Sequence, residues 1–122
     1  MAEIKLGVVE ARFADIVWQN APVTTKELTV LCAKELNWKR TTTYTVLKKL
    51  CDRGIFCTKD SVVTVVISKR EFYSIQSEQF VDENFHGSLP AFIAAFTARK
   101  APTPEELAQI KEMIEQYGEQ NL

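Results

Sequence analysis

The 122-residue sequence predicts a mainly α-helical fold that carries one small β-hairpin. Three observations predict it. Apolar residues recur at helical spacing along most of the chain. Capping boxes (Thr24 with Glu27, Ser68 with Glu71, Thr103 with Glu106) stand at the start of three amphipathic runs. A single β-prone pair, Ile55–Thr58 and Val62–Ile67, lies around the polar turn Lys59-Asp60-Ser61.

The elements follow in order. Residues 8–19 form a first helix with Val9, Phe13, Ile16 and Val17 on one face, ended by Asn20-Ala21-Pro22. Thr24 caps a second helix whose stripe is Leu28, Leu31, Cys32 and Leu36, broken at Asn37-Trp38. A third, threonine-rich helix runs to Asp52-Arg53-Gly54, where glycine takes the usual position beyond a helix end. The hairpin comes next, and its Val62–Ile67 run is apolar enough to pack on both sides. Ser68 opens a helix of roughly residues 69–84, which Gly87 breaks. Leu89, Phe92, Ile93 and Phe96 mark another helix, and the loop Lys100-Ala101-Pro102 separates the last one. Thr103 caps that helix, Pro104 sits at its first position, and Leu107, Ile110, Met113, Ile114 and Tyr117 make its stripe. Three helices and then a hairpin is the order of a winged helix-turn-helix. The expected division is a winged-helix domain over residues 1–75 and a helical dimerisation domain over 76–122.

The third helix carries the chemistry. Thr43, Val46, Leu47 and Leu50 form its apolar stripe, while Thr41, Thr42, Tyr44, Thr45, Lys48 and Lys49 point the other way. An outward set of hydroxyls, a phenol and ammonium groups suits a DNA major groove, where a carboxylate would be repelled. Trp38, Lys39 and Arg40 precede it and Lys59 sits in the hairpin turn, which completes the set expected to meet DNA. Charge distribution agrees. Residues 1–75 hold 12 Lys and Arg against 8 Asp and Glu, a net of +4, and residues 76–122 hold 3 against 8, a net of −5. The basic part meets phosphate and the acidic part stays away from it.

The C-terminal third is short for a core of its own, yet Phe80, Phe85, Phe92 and Phe96 need burial. Two copies packing through these residues, Leu89, Ile93, Leu107, Ile110 and Ile114 would cover them, and DNA sites are commonly read by two-fold dimers. The rival is that these helices fold back on the winged helix of their own chain.

The pattern resembles the penicillinase-repressor family (the BlaI/MecI/CopY type). The residues that carry the likeness begin with Glu10, Phe13, Ile16, Val17 and Trp18, then Thr24, Glu27 and Leu28. Trp38, the run Thr42–Leu50 and Gly54-Ile55 follow, then Phe85–Phe96, and last Pro104-Glu105-Glu106-Leu107. The resemblance implies a homodimeric transcriptional repressor on a palindromic double-stranded operator, released by an inducing signal at the dimer region. In antibiotic-responsive members a membrane sensor pathway leads to cleavage at an Asn-Phe bond. The matching bond here is Ala95–Phe96, without the Asn. Copper-responsive members carry a C-terminal CxC pair, and here no cysteine follows Cys57. The wing turn offers one cation, Lys59, beside Asp60, where relatives are more basic.

Single residues have plainer readings. Trp18, within an apolar helix, belongs to a core, and Trp38 is either core or a phosphate donor. His86, the sole histidine, reads as a linker residue, so no metal site is expected, and no cofactor. Cys32, Cys51 and Cys57 read as reduced, partly buried thiols. No carboxylate pair, glycine-rich phosphate loop or nucleophile elbow suggests an enzyme. No apolar run approaches the roughly 20 residues of a membrane span and no signal peptide precedes the first helix, so a cytoplasmic protein without membrane insertion is expected. The competing class is a winged helix that serves as a protein-interaction module without DNA binding.

Overall fold

A computed structural model describes residues 5–120, so the outermost residues of both expected domains lie outside the description. Among the described residues, six helices and one three-stranded antiparallel sheet form the architecture of a winged helix-turn-helix with a helical extension.

Helix α1 spans Val8–Asn20, α2 Thr25–Leu36 and α3 Arg40–Asp52. The first two have local capping signals. At the start of α1 the Gly7 amide donates to Glu10 Oε1 at 3.0 Å. At α2 the Glu27 amide donates to Thr24 Oγ1 at 3.1 Å, and Asn37 closes the helix in the left-handed region at φ 55°. Apolar stripes spaced by three and four turn inward. Phe13, Val17, Leu28, Cys32, Leu47 and Leu50 are all buried, with Thr43 beside them. Burial also pushes the Cys32 thiol up from its ordinary value.

Strand β1 (Val23–Thr24) precedes α2, while β2 (Phe56–Lys59) and β3 (Val62–Val65) form the hairpin. The strand order is β1-β3-β2, with Val23 opposite Val63 and Lys59 opposite Val62. Two expectations are corrected here. Lys59 is the last residue of β2, and the turn is only Asp60 and Ser61, both at positive φ (53° and 62°), which matches the twist of a two-residue hairpin. The Val62–Ile67 run does not pack on both sides. Val63 is buried, but Thr64 and Val65 after it in β3 and Val66 just beyond it are exposed, so burial ends at Val63 on both faces of the strand. Residues 23–24, which carry no strand signal in the sequence, form β1, and Thr24 also caps α2 as expected.

Helix α4 (Lys69–Phe85) starts at Ser68, whose Oγ accepts the Glu71 amide at 3.1 Å. Phe72 is buried in the core, and Trp18 closes the same end. Its ring lies near Phe56, Phe72 and Tyr73, and its Nε1 donates to the Ile67 carbonyl at 3.0 Å. Trp18 is therefore a core residue, as its helix position implied. Val9 departs from its expected stripe and is exposed, and Cys57 is exposed rather than partly buried.

The chain divides into two compact units, Met1–Gln79 and Phe80–Leu122. Unit 2 holds the end of α4, then α5 (Leu89–Arg99) and α6 (Pro104–Gln120). Ser88 caps α5 by accepting the Ala91 amide, and Thr103 and Glu106 close a complete capping box on α6. Phe80, Phe85, Phe92 and Phe96 form a chain of tilted and edge-on rings with centroids 5.5–6.3 Å apart. No described residue of α5 or α6 is buried. Leu89, Ile93, Phe96, Leu107, Ile110, Met113, Ile114 and Tyr117 are all exposed, Ile114 by 64%. No helix among the described residues is long and apolar enough to cross a membrane.

Candidate nucleic-acid interface

The exposed side of α3 is fixed by what its other side buries. Thr43, Leu47 and Leu50 are in the core, so a 100° step per residue turns Thr41, Thr45 and Lys48 directly away from it. Tyr44 flanks this ridge on one side, and Thr42 and Lys49 flank it on the other. All six are exposed.

Thr45 Oγ1 donates to the Thr41 carbonyl at 2.9 Å. Its hydrogen is spent within the helix, so it offers the outside an acceptor oxygen and a methyl group. The Arg40 guanidinium carbon lies 5.6 Å from the centre of the Tyr44 ring, a cation–π distance. Hydrogen bonding with the Thr25 side chain, and then with Arg40, holds the Tyr44 phenol below its ordinary value. Lys39 occupies the N-cap position of α3. The Thr25 amide donates to the Ser61 carbonyl at 2.9 Å, so the start of α2 is tied to the hairpin turn that follows Lys59.

Two groups expected beside the ridge are engaged elsewhere. Trp38 is half-buried, with its ring stacked on Phe13 at 5.6 Å, so its aromatic face belongs to the core. Lys49 Nζ lies 2.9 Å from Glu10 Oε2 of α1. Lys48 meets Asp52 at 3.6 Å, but both groups are highly exposed, and such a pair one turn apart opens readily. Sequence reasoning missed Glu10, Thr25, Asp52 and Arg53. Asp52 was readable as the residue one turn after Lys48. The others act across elements, which spacing along one helix cannot reveal.

Among the described residues, no group of three or more His, Cys, Asp or Glu side chains is placed to hold a metal ion. Ala95 and Phe96 lie inside α5, in regular helix.

A family model described as penicillinase repressor matches residues 6–116, which includes all of α1–α5 and most of α6. A search of curated proteins returns no match.

Proposed function

The chain belongs to the penicillinase-repressor family of DNA-binding transcriptional repressors, and from that premise we propose a homodimer that reads a palindromic operator through α3. The observation that carries this reading is the ridge of Thr41, Thr45 and Lys48 with Tyr44 at its flank. It is exposed, rich in hydroxyls, and anchored from behind by a buried stripe. Thr41, Thr42, Tyr44 and Thr45 face base edges, where an acceptor oxygen pairs with an exocyclic amine and a methyl packs on thymine. Lys39, Arg40 and Lys48 hold phosphate on either side, and Lys59 reaches the backbone from the wing. Residues 1–75 are the DNA-binding domain and residues 76–122 the dimerisation domain. Exposed apolar side chains on both α5 and α6 support the second assignment, since a helix pair gains little from apolar faces left in water.

An inducing signal acts on the dimer half. A two-headed protein binds its second half-site from high effective concentration, so separating the heads releases DNA without disturbing any DNA contact. Cutting at Ala95–Phe96 would require α5 to unwind first, because a protease takes an extended strand and the bond lies in helix.

The test is duplex binding by the purified protein across a salt series. A DNA reader loses affinity steeply and linearly on a log–log plot as salt rises. Absence of duplex binding even at low salt would overturn the reading in favour of a protein-interaction module.

A further inference from the structure

Glu10 of α1 grips the basic end of α3 through contacts that the DNA reading leaves unused. Its Oε1 accepts the Gly7 amide at 3.0 Å and lies 3.8 Å from Arg53 Nη1. Its Oε2 is shut off from solvent and lies 2.9 Å from Lys49 Nζ. The Glu10 side chain is 19% exposed, whereas that of Lys49 is 54% exposed. Arg53 is itself steadied by donating to the Lys5 carbonyl at 2.8 Å. An ammonium from the last turn of α3 and the guanidinium of Arg53, the residue that caps it, thus converge on a single oxyanion fixed by a backbone hydrogen bond. A DNA phosphate offers the same chemistry.

We propose that Glu10 is an internal stand-in for a DNA phosphate, which holds Lys49 and Arg53 and so limits the affinity of α3 for DNA of any sequence. The proposal rests on the reading of α3 as the DNA-binding helix. Counterion release draws on cations whose charge is not already met within the protein. Glu10, Lys49 and Arg53 together carry one net positive charge, where the two cations alone would carry two. Lys48 differs, because its partner Asp52 is exposed and water competes for the pair. The contacts of Thr41, Tyr44 and Thr45 to base edges are untouched by Glu10. Its effect therefore falls on sequence-independent binding, and the ratio of operator to random-sequence affinity rises. That ratio decides occupancy when competing sites are many.

The test compares the full chain with Glu10→Gln, Lys49→Gln and the double variant on a short random-sequence duplex. Fluorescence anisotropy over a salt series gives affinity and slope. Glutamine keeps the size of the side chain and an acceptor for the Gly7 amide. Glu10→Gln is expected to bind about threefold to tenfold tighter at low salt, with a slope steeper by up to about 0.9 for each subunit. Lys49→Gln should cost less in the wild type than in the Glu10→Gln background, where it removes the share of the gain that Lys49 supplies and leaves that of Arg53. Wild-type affinity and slope in Glu10→Gln, or an equal loss from Lys49→Gln in both backgrounds, would overturn the proposal. Circular dichroism checks that Glu10→Gln folds. If it does not, Lys48→Gln and Lys49→Gln in the Glu10 background decide. Lys48→Gln should lower the slope by about 0.9 for each subunit and Lys49→Gln by less than half of that, and equal losses contradict the proposal. Duplex binding absent from the wild type would instead remove the DNA reading, and this inference with it.

Discussion

Thr45 and Lys48 lie one turn apart on the same ridge, and their chemistry separates their proposed roles. Thr45 offers an acceptor and a methyl at a fixed place, which a base edge can distinguish. Lys48 offers a mobile charge, which any phosphate satisfies. Thr45→Ala should cost about 1–3 kcal/mol at the preferred site and leave random-sequence binding nearly intact. Lys48→Ala should weaken all sequences alike and lower the salt slope by roughly two per dimer. Anisotropy on both duplexes separates the two, and an altered sequence preference in Lys48→Ala with an unchanged slope would reverse the roles. Glu10 gives a pH prediction. The Gly7 amide, then the Lys49 ammonium, hold its carboxyl below the ordinary value. The folded chain thus binds that proton more weakly than the unfolded chain. Its contribution is complete above the ordinary carboxylate range and is lost as pH falls through the folded value. The fall in urea midpoint between neutral pH and about pH 4 should be smaller in Glu10→Gln than in the wild type; a parallel fall would contradict the assignment. At this scale the sequence was legible where one helix decides the environment, as at Thr43 and Thr45. It was not legible at Trp38 or Lys49, whose partners Phe13 and Glu10 lie more than twenty residues away on α1.

Elements were legible where their signals are local. The Thr24, Ser68 and Thr103 caps sit where their hydroxyls can reach an amide three residues on, and each does. Strand β1 carried no such signal, since two residues have no period and their partners, Val62 and Val63, come from the far side of α3. The exposure of Val65 and Val66 was hidden for the same reason. A run of valines does not say how many of its faces are covered. The hairpin turn makes a prediction of its own. Asp60 and Ser61 both lie in the left-handed region, and Ser61 carries a Cβ there. Ser61→Gly creates the Asp-Gly pair such turns prefer and should stabilise the fold by about 0.5–1 kcal/mol, read as a higher urea midpoint. No change, or a loss, would mean that the flexibility gained by the unfolded chain outweighs the strain relieved.

At the scale of the whole molecule, the two units differ in how they meet water. Unit 1 encloses Phe13, Phe56, Phe72 and their neighbours, whereas α5 and α6 leave Leu89, Ile93, Phe96, Ile110 and Ile114 exposed. That contrast was foreshadowed by chain length, because about forty residues cannot enclose four phenylalanines unaided. On the proposed reading these faces join two copies, each presenting one α3 to DNA. The most direct measurement is footprinting of the wild type and of Phe92→Ser/Phe96→Ser on the DNA upstream of the protein's own gene. Sedimentation of both proteins accompanies it. The wild type should sediment as a dimer and protect two half-sites about 10 base pairs apart, or a multiple of that, centre to centre. The double variant should sediment as a monomer and lose that protection. A wild type that sediments as a monomer and still binds tightly, or a monomeric double variant that keeps both protected half-sites, would contradict the account.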